Sequence, residues 1–147
     1  MKQSSILKTG FALLSIVLIF ASCKAQQQGK MTSEKLVAQD YVITQLGEKE
    51  IADSKLTLKV NPENSTISGY SGCNNYNFSY KLKDGVLDLG FASATKMYCD
   101  DKMDLENLFF QKAASVTQFD NSSEVIYLKS KEGNVLIKAE KKKEKSE

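Results

Sequence analysis

A chain of 147 residues, 41% of them hydrophobic, is one domain's worth of sequence and long enough to bury a core without help from a metal. It has no His and no Arg, all 20 basic residues being Lys, so Ser-His-Asp and Cys-His catalysis, histidine-bearing zinc sites and guanidinium clamps for phosphate are excluded by residue type alone. A formal net charge of only +2 lacks the basic surplus on which nucleic-acid binding draws, so no nucleic-acid partner is expected.

The chain opens with Lys2 and Lys8, an apolar run over residues 11–21, and the small residues Ala21 and Ser22 before Cys23. An apolar run of about eleven residues is too short to span a bilayer, which takes roughly twenty, but suits a secretory signal peptide over residues 1–22. Phe20, Ala21, Ser22 and Cys23 resemble a bacterial lipobox. The resemblance implies cleavage before Cys23, diacylglycerol on its thiol and acylation of the new amino terminus, hence an envelope protein held in the membrane by lipid. Loss of Lys2 and Lys8 leaves the mature chain formally neutral. Residues 23–35 are polar and Gln-rich and read as a lipid-anchored tether. Lys24 beside the anchor resembles lipoproteins sent to the outer membrane, so the expected address is its periplasmic face.

Residues 36–140 read as the folded domain, mostly in strands. Residues 41–46 are β-branched and aromatic, and residues 56–60 alternate apolar with polar, which buries one face and wets the other. The turn containing Pro62 suits a hairpin into residues 65–70. Residues 76–82 alternate again and reach Asp84 and Gly85, a strong hairpin signal because both turn residues must tolerate positive φ; residues 86–89 return. A second hairpin joins 125–128 to 135–138 around Gly133.

One segment breaks the period of two. From Asp101, apolar Leu105, Leu108, Phe109 and Ala113 recur at helical spacing, which predicts a helix of about fourteen residues with Asp101 as N-cap. The expected fold class is therefore α+β: a strongly curled antiparallel sheet, a half-barrel, with one helix packed against it. Residues 141–147 read as a charged, solvated tail.

The densest cluster of unusual residues is Ser71, Gly72, Cys73, Asn74, Asn75 and Tyr76, followed downstream by Thr95, Lys96, Met97, Tyr98 and Cys99 just before the predicted helix and its Glu106. With these motifs, in this order, the chain resembles the META domain (HslJ-like) family over about residues 41–138. Where that family usually opens its first strand with Trp, this chain has Tyr41. The resemblance implies a small α+β domain of exported bacterial proteins, linked to heat shock, antibiotic tolerance and secretion or motility, without a settled molecular activity.

With Cys23 assigned to lipid, Cys73 and Cys99 are left as an even pair in an oxidising compartment. They read as a structural disulfide; buried free thiols and a redox pair stay open beside it, the latter because Cys99 precedes a helix N-terminus. Asn74, Asn75, Tyr76 and Tyr98 are candidates for a shallow binding loop, although Asn also serves wherever a turn needs left-handed geometry. No catalytic residue, metal or cofactor is expected. The reading is a non-catalytic envelope lipoprotein that binds another envelope protein or supports the envelope under stress. An apolar-ligand or lipid carrier, a secretion pilot or inhibitor, and a thiol-redox protein are the alternatives.

Overall fold

The computed structural model of the protein describes residues 34–143. The expected signal peptide, the lipidation site Cys23, all but the last residues of the expected tether, and residues 144–147 lie outside them.

The strands follow the alternation in the sequence. In chain order they are β1 (Gln39–Leu46), β2 (Lys49–Glu50), β3 (Thr57–Asn61), β4 (Thr66–Tyr70), β5 (Asn75–Ser79), β6 (Lys81–Lys83), β7 (Val86–Asp88) and β8 (Ala92–Ala94). Helix α1 (Met103–Ala113) follows, then β9 (Gln118–Asn121), β10 (Val125–Lys129) and β11 (Val135–Lys141). The main sheet runs β8-β5-β4-β3-β1-β11-β10-β9, with β2 on β1, while β6 and β7 form a separate ribbon. The described pairings are antiparallel. The first and last strands meet at mid-sheet, Tyr41 opposite Lys141 and Leu46 opposite Ile137. Asp84 and Gly85 have φ of 52° and 78°, both positive, as their two-residue hairpin requires.

The core lies between the sheet and α1. Tyr41, Ile43, Leu58, Phe119 and Ile137 are buried on the sheet's inner face, and Phe109 of α1 packs among them. Tyr76, Phe78, Phe109 and Phe110 form an aromatic cluster with centroid separations from 4.7 to 6.4 Å, in tilted and edge-on geometries that favour ring quadrupoles.

Four details differ from expectation. The sheet is neither closed nor strongly curled, so the half-barrel is not borne out; one backbone bond, Leu87 N–H to Thr117 O at 2.9 Å, joins the β6–β7 ribbon to the stretch before β9. The strand predicted over 76–82 divides at Tyr80, whose N–H makes a last in-register bond of the β4–β5 ladder, to Ser65 O at 2.9 Å, before the chain enters the β6–β7 ribbon. The helix has 11 residues rather than about fourteen, and its N-cap is Lys102 with no side-chain cap bond. Asp101 is displaced from that role because the N–H groups of Lys102 and Met103 already bond Cys99 O, at 2.9 and 3.1 Å. Finally, β11 continues to Lys141 and Lys142 N–H donates to Asp40 O at 3.0 Å, so the expected tail begins inside the sheet.

The far end of the expected tether is held as well. The buried Asn121 side chain accepts Val37 N–H at 2.7 Å and donates to Lys35 O at 3.0 Å. The chain before β1 is thereby seated against the end of β9, with Leu36 in the core.

Candidate functional site

Strand β4 leaves its ladder with β3 at Gly69. A Cβ there would stand 2.1 Å from Thr57 O, so only glycine allows the approach. The gap admits the Tyr76 hydroxyl, which donates to Thr57 O at 2.8 Å, while Tyr70 N–H bonds Thr57 Oγ1 at 3.0 Å. The chain then turns through residues 71–74, with Gly72 at φ +108°. Tyr70 donates its hydroxyl to Gly72 O at 2.6 Å, and Ser71 N–H donates to Asn74 O at 2.8 Å.

Into this turn projects Glu106 from the first turns of α1. Its stripe on the helix, Glu106, Phe109 and Ala113, is the buried one. Glu106 Oε2 accepts Asn74 N–H at 2.9 Å and a close contact from the Ser71 hydroxyl, and Oε1 accepts Asn74 Nδ2 at 2.8 Å. Burial pushes this carboxyl up. The bonds from Ser71, from the Asn74 side chain and from the backbone of Asn74 and Cys73 outweigh it and hold the group below the usual glutamate value.

Asn74 carries the network onward. Its Oδ1 accepts Thr95 Oγ1 and Met97 N–H, both at 2.7 Å, and its Nδ2 donates to Met97 O at 3.1 Å as well as to Glu106. Two residues further, the Cys99 sulfur lies 2.04 Å from that of Cys73, at disulfide distance. The turn at 71–74, the stretch 95–99 and the start of α1 are thus joined by a carboxylate, an amide and a disulfide.

The four binding-loop candidates are not gathered on one surface. Asn74 and Tyr76 are buried, the first spent on the network and the second in the aromatic cluster. Asn75 is exposed, its N–H bonding Thr95 Oγ1 at 3.1 Å. Tyr98 is exposed and donates to Asp100 at 2.9 Å. A shallow cavity of about 380 Å³ lies instead on the outer face of β1, β3, β4 and β5, with Thr57, Lys59, Ser68, Tyr70 and Asn75 in its lining. Among the described residues no three His, Cys, Asp or Glu side chains are placed to hold a metal ion.

Glu106 as the keystone was not evident from residue type. The signal was its position: it stands three and seven residues before Phe109 and Ala113, a lone carboxylate within a buried apolar stripe.

The comparisons agree with this architecture. A family model described as META domain matches residues 34–143. An NMR structure of a protein from Burkholderia xenovorans is similar with a TM-score of 0.59 at 20% identity, covering 76% of this chain and 87% of that one. A second NMR structure reaches a TM-score of 0.55 at 22% identity, covering 74% and 93%. At such identities these two likenesses establish the fold alone. No significant match is found among curated proteins. The family model spans every described residue, including the turn at 71–74, the 95–99 stretch and the helix that Glu106 joins, and the chain belongs to the META domain family.

Proposed function

We propose that the protein is a non-catalytic, lipid-anchored envelope module whose motif residues shape a binding surface rather than perform a reaction. One observation carries this reading: both oxygens of the Glu106 carboxylate are engaged by donors of the 71–74 turn, so the buried acid is spent on structure. A general acid or base needs a free position facing its substrate, and this carboxylate faces its own loop.

Other features support the same reading. A carrier for an apolar ligand needs a void between sheet and helix, where this domain packs its aromatic cluster. Redox enzymes usually hold their pair as Cys-x-x-Cys, whereas Cys73 and Cys99 are 26 residues apart, with Cys73 buried and Cys99 half-buried. Cys23, behind an apolar run and two small residues, supplies the anchor at the outer membrane, and the domain meets its partner in the periplasm.

The test has two parts. The native chain is expected to fractionate with membranes, and Cys23→Ala is expected to release it. Crosslinking in intact envelopes is expected to capture a protein partner. A Cys23→Ala variant that is processed normally and stays membrane-bound would sink the anchor, and turnover of an envelope substrate abolished by Glu106→Gln in a folded protein would sink the non-catalytic reading.

A further inference from the structure

The motif network has a second consequence, at the edge of the sheet. Strand β8 ends the main sheet on one side and β9 on the other. The edge of β9 is covered at both ends, by the Asn121 clamp on residues 35–37 and by the bond from Leu87 to Thr117 O. The outer edge of β8 has no comparable cover among the described residues.

That edge is longer than β8 itself. Ser93 lies opposite Asn77 in the ladder, Thr95 N–H donates to Asn75 O at 3.0 Å, and Met97 bonds the Asn74 amide through both N–H and C=O. Residues 93, 95 and 97 therefore turn their main chain inward. By strand alternation, Ala92, Ala94 and Lys96 present theirs outward. Natural edges are usually blunted with charge, yet between Phe91 and Tyr98 only Lys96 is charged. Phe91 is 101% exposed at one end, and Met97 and Tyr98 are 53% and 78% exposed at the other.

We propose that this edge is an interface between two copies of the chain, β8 pairing antiparallel with β8 about a two-fold axis at Ala94. The edge is complementary to itself. In that register Lys96 stands opposite Ala92 of the second copy, so no like charges meet. Phe91 faces Met97 at a non-hydrogen-bonded position, where side chains approach closest, and Tyr98 covers the bare Gly90. The outward groups supply about six main-chain hydrogen bonds. Two aromatics of roughly 150–250 Å² each plus a methionine per copy bring the buried area to about 1,000 Å², the lower bound for a specific interface, so a dissociation constant on the order of micromolar is expected. Residues 35–37 lie at the opposite end of the sheet, which keeps the membrane tether clear of the contact. The inference rests on the non-catalytic reading only in treating an edge as the working surface; assembly is measured separately from lipidation and catalysis.

The experiment is the mass of the full-length lipoprotein in detergent, by light scattering with the detergent contribution subtracted, across a concentration series. A dimer is expected for the native chain. Ala94→Pro, which removes only an outward-facing N–H, and Phe91→Asp should each weaken it at least tenfold, while Val86→Asp on the neighbouring ribbon should not. The thermal midpoint checks folding, and if Ala94→Pro fails to fold, Phe91→Asp decides. A native chain that stays monomeric at all concentrations overturns the proposal. So does a dimer indifferent to the edge substitutions, or one that Val86→Asp disrupts equally.

Discussion

The side-chain amide of Asn74 bonds the main chain of Met97 as a further residue of β5 would, accepting its N–H at 2.7 Å and donating to its C=O at 3.1 Å. The ladder between β5 and β8 thereby continues past the last paired strand residues. Because the same amide donates to Glu106 at 2.8 Å, the position of the strand extension is tied to the start of the helix. A motif whose residue types look like ingredients of a reaction, a carboxylate beside a hydroxyl and two cysteines, is here a joint between three chain segments.

Glu106→Gln tests the carboxylate. Hydrogen bonds to a charged acceptor are worth about 1.5–3 kcal/mol, and the amide also brings a donor where Ser71 and Asn74 already donate. The substitution should lower stability at neutral pH by that order, read as a shift in urea midpoint. The sign with pH follows from the lowered carboxyl. Its contribution is full above the unfolded glutamate value and is lost as pH falls through the lower folded one. The native chain should therefore weaken on acidification below about pH 4.5, and the variant should lose part of that slope.

Tyr41 makes the opposite prediction at alkaline pH. Burial, aided by the charge of Glu124, raises its phenol from 10.0 to about 12, and its hydroxyl donates to Ser122 O at 2.8 Å. Stability from this group is complete below the unfolded value and is lost as pH rises through the folded one. Phenolate absorbance should show Tyr41 titrating late, and Tyr41→Phe should flatten the loss of stability between pH 10 and pH 12.

Gly69→Ala should be severe for so small a change. The new methyl group would meet Thr57 O at 2.1 Å and the Tyr76 hydroxyl at 3.0 Å, so backbone must move. A loss above roughly 2 kcal/mol is expected, against a few tenths for an open surface site. Gly85→Ala serves as the comparison: nothing lies within 4 Å of its Cβ, and only the positive φ is strained. The two thermal midpoints settle the ranking.

Removing the disulfide should cost less than its position suggests. With a sequence separation of 26 residues, the chain-entropy model gives about 3.5 kcal/mol as an upper figure. The Asn74 and Glu106 bonds still hold the same segments, so the Cys73→Ala, Cys99→Ala double variant should remain folded with a lowered midpoint. Unfolding of that variant at neutral pH would show the network to be weaker than its geometry implies.

What could be read in the sequence follows from what periodicity encodes. Strands β3 and β6–β7 were legible because Leu58 and Val60 alternate with Thr57 and Lys59, and because Asp84 and Gly85 can take only a few turn shapes. The break at Tyr80 was not, because its alternation continues unchanged through the residue where the ladder ends. Strand β8 was invisible: Ala92, Ser93 and Ala94 have no β-branched or aromatic side chain, and their extended form is imposed by β5 on one side. The pairing of β1 with β11 joins residues about a hundred positions apart, a long-range contact that local pattern cannot carry. Cys73, Asn74 and Cys99 stood out by type, whereas Glu106 as the partner of Ser71 and Asn74 required knowing which side of the helix was buried.

The joint itself is tested most directly by amide hydrogen exchange at Met97, comparing the native chain with Asn74→Ala while the disulfide is intact. If the Asn74 amide holds this strand extension in place, protection of the Met97 N–H should fall at least tenfold in the variant, with the amides of β10 and β11 little changed. Equal protection at Met97 in both proteins would contradict the account, because the extension would then owe its order to the disulfide and β5 alone.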